Sequence, residues 1–379
     1  SYAFVSAVWR IKEDLEMAYT EITTNANTTA QVSEEKWSDI CHQEYVGKLM
    51  FKWLIGEGDD AIIRVNEDLT KKGGDAITER YASAQSGGVV RGNAKAEGNE
   101  GSMSFYSQRF VVDNIRVAHL MQDVPMTEKR VSFKVKSQMK TALTNKLAET
   151  FDDDNIAMLC DATVGRVRGR YLYGAADSNW NATHATALTA VDGTSDMLTS
   201  GMIDVAKRKA VIKGTGVSQK MHPTKIKNGM NYEEWFMFLG HTYAIRDLVN
   251  NDAVFRNNQL LLPPQANSNS IYFSGSHFKG SWNGVLIYEN DRLPLVSSTI
   301  QCAHNVLLGA KAGIVAWGQR SKFTEDTTRD FGHDYAAELH EIRNKLATGS
   351  SNNLKSVYND GTNSHDYGIV NVFSAAVAD

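Results

Sequence analysis

The spacing of apolar residues along this chain changes several times, and each change marks an element. Trp37, Ile40, Cys41, Tyr45, Leu49 and Trp53 recur at three or four residues, a helical stripe, with Ser33 placed as its N-cap and Glu34 and Glu35 in the first turn. Residues 105–122 alternate instead, with Phe105, Val111, Ile115 and Val117 set among polar partners, and read as a strand. After Asp123-Val-Pro the period becomes four: Val135, Met139, Leu143, Leu147 and Phe151 share one face, with Ala142 and Met158 close to it. One helix from about 128 to 160 follows, roughly 45 Å long, which exceeds the usual globular length. Its start stays open, because Val131, Phe133 and Val135 also alternate like a strand.

Residues 57–104 hold a short strand at Ala61–Val65 and a loosely alternating piece at Ala76–Tyr81, separated by Gly73-Gly74, Gly87-Gly88, Gly92, Gly98 and Gly101. That is too little apolar material for an independent core. An extended two-stranded loop borrowing its burial from a partner is expected. Residues 166–324 read as a separate α/β domain. Ser200–Val211 is a helix, Trp235–Leu239 a buried strand running into a helix from His241 to Leu248, and Asn283-Gly284 the turn of a hairpin. Asn305–Trp317 is a glycine-flanked apolar stretch. In residues 325–379, strand-like text at Phe331–Ile342 and Tyr367–Phe373 flanks a polar Gly/Ser/Asn loop. No internal repeat or heptad appears.

The chain has 379 residues, 42% of them hydrophobic, enough for two or three substructures with sizeable cores. A net charge of −4 marks neither a nucleic-acid binder by charge nor an acidic disordered tail. No apolar run reaches the roughly 20 residues needed to span a bilayer, and the first residues lack the pattern of a signal peptide. The chain starts without Met, which suggests processing or cleavage of a longer precursor. Cys41, Cys160 and Cys302 are scattered, so neither a disulfide framework nor a zinc knuckle is expected; a reducing compartment fits. With 5 prolines against 29 glycines, long and bendable elements are favoured.

Candidate chemistry is sparse. No phosphate-binding loop, dinucleotide fingerprint or nucleophile elbow is present. His340-Glu341 lacks the second His of a zinc helix. Asp152-Asp153-Asp154 suits a cation, but a solvated or salt-bridged helix patch is the better reading. His333 and His340 read as structural. Cys160 has no local base or electropositive neighbour, so a small buried apolar role is expected. Cys302 and His304 share a strand face as core neighbours. No catalytic, cofactor or metal residue is assigned, and no enzyme activity is expected.

The stretch Glu97-Gly-Asn-Glu-Gly-Ser-Met-Ser-Phe-Tyr-Ser, between a glycine-rich segment and a strand feeding one long helix, resembles the major capsid proteins of tailed bacteriophages. The resemblance is to the family typified by the N-four-like podoviruses, which has the Hong Kong 97 capsid fold. It implies an α+β chain with an N-terminal arm (1–56), an extended β-hairpin loop (57–104), a peripheral domain with a spine helix (105–165), an axial domain (166–324), and return strands of the peripheral domain with a C-terminal segment (325–379). The family's His-Pro-Tyr-like element is loosened here by Thr242. The implied function is self-assembly into hexamers and pentamers of an icosahedral head enclosing double-stranded DNA. Portal, scaffold and decoration proteins are the implied partners, with no membrane. The virion capsid, assembled in the host bacterial cytoplasm, is the implied location.

On that reading, acidic Glu13, Asp14, Glu34 and Glu35 of the arm are candidates to pair across subunits with Lys134, Lys136 and Lys140 of the spine helix. Gly87, Gly88, Gly92, Gly98 and Gly101 are candidate loop hinges. Arg166, Arg168 and Arg170, followed by Lys207, Arg208 and Lys209, are candidates to face DNA by phosphate contact; a solvated face or an intersubunit salt bridge is the stronger reading. Lys71, Lys72 and Lys95 raise an isopeptide crosslink, which needs a desolvated lysine, a carboxylate and an Asn; noncovalent contacts are preferred. An encapsulin-like compartment shell and a soluble α/β enzyme built on 166–324 are the alternatives.

Overall fold

The computed structural model describes residues 54–66, 76–82, 87, 89–122, 129–130, 135–213, 216–228, 231–261, 277–316, 319–327, 334–346, 356–359 and 364–377. The fold is mixed α+β and divides into two units, one of residues 1–50, 113–153 and 319–343, the other of residues 51–112, 154–318 and 344–379.

The first elements in chain order are strands β1 (Ile55–Gly56), β2 (Ile63–Asn66), β3 (Ala76–Ala82) and β4 (Phe105–Gln122), then helix α1 (Val135–Leu159). β1, β2 and a later strand β12 (Gly313–Ala316) form a parallel three-stranded sheet. Ile62 and Ile63 are buried there. β2 is therefore a paired strand of the larger unit, with Ile62 and Ile63 in its core and residues 57–60 exposed before it, and not part of an extended loop. The sequence signal was the Ile-Ile pair, which finds its cover within the chain.

β4 is the alternating strand expected at 105–122. It belongs to a four-stranded sheet in the order β13-β14-β4-β3, where β13 is Gln319–Thr327 and β14 is Asp334–Leu346. β13 and β14 pair antiparallel from Gln319↔Ile342 to Thr327↔Tyr335. The boundary expected at 324 is thus moved back: residues from 319 onward join the sheet of β4. α1 carries its apolar stripe through Leu143, Phe151 and Leu159, all buried. Asn155, also buried, continues the same four-residue series, so the stripe is not wholly apolar.

The larger unit is built on β5 (Tyr171–Tyr173), α2 (His184–Thr189), α3 (Ser200–Val211), β6 (Thr224–Asn228), β7 (Asn231–His241), α4 (Thr242–Asn251), α5 (Ala253–Leu261), β8 (Phe278–Trp282), β9 (Val285–Asn290), β10 (Leu295–Ser297) and β11 (Gln301–Leu308). Late in the chain come β15 (Val357–Asn359), β16 (Ser364–Asp366) and β17 (Ile369–Ala375). Its mixed sheet runs β5-β17-β11-β7-β9-β8, with β10 beside β11 and β6 beside β7. β17 lies between β11, antiparallel, and β5, parallel. The C-terminal strand is accordingly a central strand of the α/β sheet and not a return strand of the peripheral part. All its residues are buried, as a strand covered on both faces requires.

The two faces sort by alternation. Leu172, Phe236, Phe238, Ala303, Leu307, Val370 and Val372 meet Met202, Ile203, Ala206, Ile245 and Leu248 of α3 and α4. On the other face Tyr171, Tyr173, Cys302, Phe373 and Ala375 meet Ala187, Leu188 and Val191. Buried polar groups are stitched across the strands. On one face Asn371 Nδ2 donates to Asp366 Oδ2 at 2.9 Å, and Asn371 Oδ1 lies 2.8 Å from His304 Nε2. On the other, Asn305 Nδ2 donates to Ser374 Oγ at 2.8 Å and Asn305 Oδ1 accepts from the His241 backbone at 2.9 Å.

Helix starts are set locally. Thr199 accepts from Met202 N–H at the start of α3. His241 accepts through Nδ1 from Tyr243 N–H at the start of α4. The Asp252 carboxylate accepts from Val254 and Phe255 in α5 and from Ser200 in α3. Burial pushes its carboxyl upward, but these hydrogen bonds outweigh that and hold it below the usual range.

Candidate assembly surfaces

For a chain whose residues suggest association instead of catalysis, the site is its surface. β3 and β4 pair antiparallel from Ala76↔Val111 to Ala82↔Phe105. Beyond them residues 91–105 are exposed throughout. Exposed apolar side chains stand out here: Val89 is 84% exposed and Phe105 70%, with Met103 also exposed. The tip closes on itself, with Asn99 N–H donating to Ala96 O at 3.0 Å and Gly98 N–H to Glu100 Oε2 at 2.9 Å.

The candidate hinge glycines have specific backbone duties. Gly87, Gly92 and Gly98 have φ of +107°, +67° and +84°, the region other residues rarely adopt. A Cβ on Gly87 would stand 2.7 Å from the Gly101 Cα, so these two glycines let the limbs of the loop meet. Gly88 lies outside the described residues, as do Glu13, Asp14, Glu34, Glu35, Lys134, Lys71 and Lys72. Lys136 and Lys140 lie in α1, but their side chains are outside the described set. Lys95 is exposed in the loop.

The arginine run separates into three different environments. Arg170 is 0% exposed. Its guanidinium donates to Gln219 O (2.7 Å), Lys209 O (2.8 Å), Asp366 O (3.2 Å) and Ala210 O (3.3 Å). It caps the carbonyl end of α3 from inside the fold, and has no surface to offer DNA. Burial lowers its pKa to about 10 despite the nearby Asp366. Arg166 lies over the Trp180 ring at 4.6 Å and donates to Asn181 O and Ala182 O, a stacked and bonded guanidinium. Arg168 pairs with Asp177 at 3.0 Å and is exposed; of the three it is the most open, Arg166 being half-buried.

Other candidates fall into the core. Asp152 is buried, Asp153 exposed and Asp154 half-buried, so the triplet is not a uniformly solvated patch. Among the described residues no group of three His, Cys, Asp or Glu is placed to hold a metal, and no helix is long and apolar enough to cross a membrane. Cys302 is buried, and burial pushes its thiol up to about 11. His304 stacks on Phe373 at 4.3 Å.

The Asn283-Gly284 turn has φ of +44° and +71°, the left-handed pair a tight hairpin demands. α3 clasps it: Asp204 Oδ1 accepts from Trp282 Nε1 at 3.1 Å and Asn283 Nδ2 at 2.9 Å, and Lys207 Nζ donates to Asn283 O. A groove of about 400 Å³ runs beside it, with exposed Val211 and Ile212 on its wall.

Sequence reasoning overlooked the tyrosines at the root of the loop. Tyr81 packs on Tyr367 and Tyr106 on Tyr358, each pair at 5.1 Å between ring centroids. The available signal was Tyr358 within the polar Gly/Ser/Asn loop and Tyr367 at its end.

Comparison with known proteins agrees with this architecture. The family model described as phage capsid protein matches residues 6–378. Among solved structures, the chain is similar to the capsid asymmetric unit of cyanophage Pam1, with a TM-score of 0.71 and 19% identity over 95% of this chain and 100% of that one. It is similar to the capsid of Ralstonia phage GP4 at a TM-score of 0.70 and 17% identity, over 91% of this chain and 96% of that one. The capsid of Helicobacter pylori bacteriophage KHP30 follows at 0.65 and 16%, over 94% and 98%. No curated protein matches the sequence. The structural likeness carries the fold, and the family match spans nearly the whole sequence: the chain belongs to the phage capsid protein family.

Proposed function

We infer that this chain, a major capsid protein of a bacteriophage, acts by associating with copies of itself into hexamers and pentamers that close an icosahedral head around double-stranded DNA. The observation that carries the reading is the family match over residues 6–378. The geometry supports it through the exposed loop, whose Val89, Met103 and Phe105 present apolar surface. Covering such surface stabilises by about 25 cal/mol per Å², less the cost of ordering.

Within this reading the larger unit supplies the axial part and the loop from Ala82 to Phe105 lies over a neighbour. The acidic arm pairs with the basic half of α1 on another copy. Isolated surface pairs contribute only about 0–1 kcal/mol, so the effect comes from repetition over many copies. Scaffold, portal and decoration proteins complete assembly in the host cytoplasm. Contact with DNA is nonspecific, with Arg168 the most exposed member of the arginine run.

Electron microscopy of the purified chain, with size-exclusion mass, tests the reading. Closed particles, or free hexamers and pentamers, are expected. A homogeneous monomer that never assembles, even with scaffold added, would overturn it. Reversing Lys134, Lys136 and Lys140 to Glu is expected to block assembly and leave the chain soluble; normal shells from that variant refute the arm-to-helix pairing.

A further inference from the structure

The β3–β4 hairpin is two-sided at its root. Glu79 and Tyr81 are buried, while Thr78, Arg80 and Ala82 between and beside them are exposed. On the partner strand Tyr106 and Gln108 are half-buried, while Phe105, Ser107 and Arg109 are exposed. The register sets Tyr81 opposite Tyr106 and Glu79 opposite Gln108, so these four form one face. What covers that face is a piece of chain some 250 residues later. Tyr81 packs on Tyr367, Tyr106 edge-on to Tyr358, and Tyr358 in turn contacts Tyr367 at 6.5 Å and His365 at 5.3 Å. Gln108 Oε1 joins the two sides, accepting from Val357 N–H at 3.1 Å and from the Tyr81 hydroxyl at 3.3 Å. A second line of contacts holds the other end of the face: Glu79 pairs with Arg64, Arg64 with Asp59 at 3.5 Å, and Asp59 with Lys311 at 3.0 Å.

The covering piece is the β15–β16 hairpin, and it is itself tied to the sheet. Ser356 N–H donates to Ala312 O at 3.1 Å, Tyr367 N–H to Ser356 O at 3.0 Å, and Asp366 leads directly toward β17. A two-stranded hairpin is marginal by itself. Its direction is set by whatever it packs on. We infer that the β15–β16 hairpin is a clamp that fixes the direction of the exposed loop through the Tyr81, Tyr106, Tyr358 and Tyr367 cluster, with Gln108 as its hydrogen-bonded pin. The position of the clamp gives it leverage. Lys95 lies thirteen residues after Ala82, a contour of at most ~40 Å, so a tilt of ~10° at the root moves the tip by at most ~7 Å. Loop direction is thereby governed at the tyrosines, below the glycines that shape the tip. The consequence for assembly rests on the self-association reading above; the clamp does not.

Hydrogen exchange on the full-length, dispersed chain tests this. In Gln108→Ala, and separately in Tyr106→Ser, amides of residues 76–82 and 105–111 are expected to exchange at least about tenfold faster, while those of β11 and β17 keep their rates. Lys95→Ala at the tip is expected to leave root exchange unchanged. Unchanged exchange at the root in both clamp variants overturns the proposal. So does equal acceleration in β11 and β17, which would make the cluster an ordinary part of the global fold. Should Tyr106→Ser not fold, Gln108→Ala, which removes no ring, decides alone. Because exchange is read without particles, a wild-type chain that never forms shells would refute the assembly reading and leave the clamp standing.

Discussion

Replacing Arg170 by Met is the sharpest perturbation of the larger unit. Met keeps most of the side-chain volume and removes every donor. Four carbonyls lose a charged partner: Gln219 O and Lys209 O through bonds of 2.7 and 2.8 Å, and Asp366 O and Ala210 O through longer ones. Hydrogen bonds to a charged group contribute about 1.5–3 kcal/mol each, and the two short ones dominate. Against this, the variant no longer buries a guanidinium, which returns several kcal/mol. The balance is decided by Asp366. Its side chain is fully buried, and Arg170 is a cation that acts on it electrostatically. Leaving one member of a buried charged pair behind costs about 3–5 kcal/mol. We therefore expect a loss of about 3–5 kcal/mol, out of the 5–15 kcal/mol typical of a domain. In urea, followed by tryptophan fluorescence, the midpoint should fall by about 1–2 M. Arg170→Lys keeps the charge but gathers its donors on one atom, so it should fall between wild type and Met. An unchanged midpoint for Arg170→Met refutes the structural role. A Lys variant as stable as wild type refutes the argument from geometry.

Three further outcomes follow from single contacts. Gly174→Ala places a Cβ 2.2 Å from Asp196 Cγ at a backbone φ of +65°; it should cost about 2–4 kcal/mol in the same urea titration. Asp196 caps Ala175 and Asp192 at 2.6 and 2.8 Å, bonds the new methyl displaces. Of the two described cysteines, half-buried Cys160 should react with a thiol reagent at pH 8 well before Cys302, whose buried thiol is pushed up to about 11; mass spectrometry of the partly labelled chain reads the order. Burial holds His241 below its ordinary value of 6.5, with Asp291 and Glu289 opposing. The unfolded chain then takes up the proton first. Stability is complete above about pH 6.5 and declines as pH falls through that value. His241→Asn keeps a capping oxygen without the titration, so the wild-type-minus-variant difference in midpoint should shrink on acidification; a difference constant from pH 7.5 to 5.5 contradicts this.

What could be read from the sequence was whatever depends on near neighbours. The alternation of 105–122, the helix at Ser200–Val211, the strand-to-helix step at His241 and the Asn283-Gly284 turn all rest on side chains within a few residues of one another. What could not be read depends on partners far along the chain. Nothing near Ile62-Ile63 announces that β12, some 250 residues later, will pair with β2. Nothing near Tyr367 announces that β17 will enter the middle of the α/β sheet instead of the strands that β14 joins. Arg170 shows the same limit in chemistry. Three arginines at alternate positions look alike in sequence, yet one is buried against carbonyls, one is stacked on Trp180 and one is paired at the surface. Local charge pattern reports none of this, because the deciding groups are contributed by residues 177–182, 209–219 and 366.

The contrast between the buried core and the exposed loop leads to a last prediction. In the larger unit, Arg170, Asn305 and Asn371 find hydrogen-bond partners within their own chain. The loop is the reverse case: Phe105 is 70% exposed and lies just beyond the clamped root. Fully burying such a side chain on a neighbour contributes about 1.5–3 kcal/mol, and tenfold in association constant corresponds to about 1.4 kcal/mol. Phe105→Asp should thus lower each intersubunit association constant by about 10–100-fold, raising the protein concentration at which particles appear. The unfolding free energy of the dispersed chain, from urea titration, should stay within about 0.5 kcal/mol of wild type, as expected for a surface position. Light scattering against concentration, beside urea titration, reads both. An unchanged assembly threshold would place Phe105 outside the interface. A threshold shift matched by an equal loss of chain stability would mean that Phe105 supports the fold and not the contact. A raised threshold with an intact chain is the outcome that the exposed loop requires if association is what its apolar surface is for.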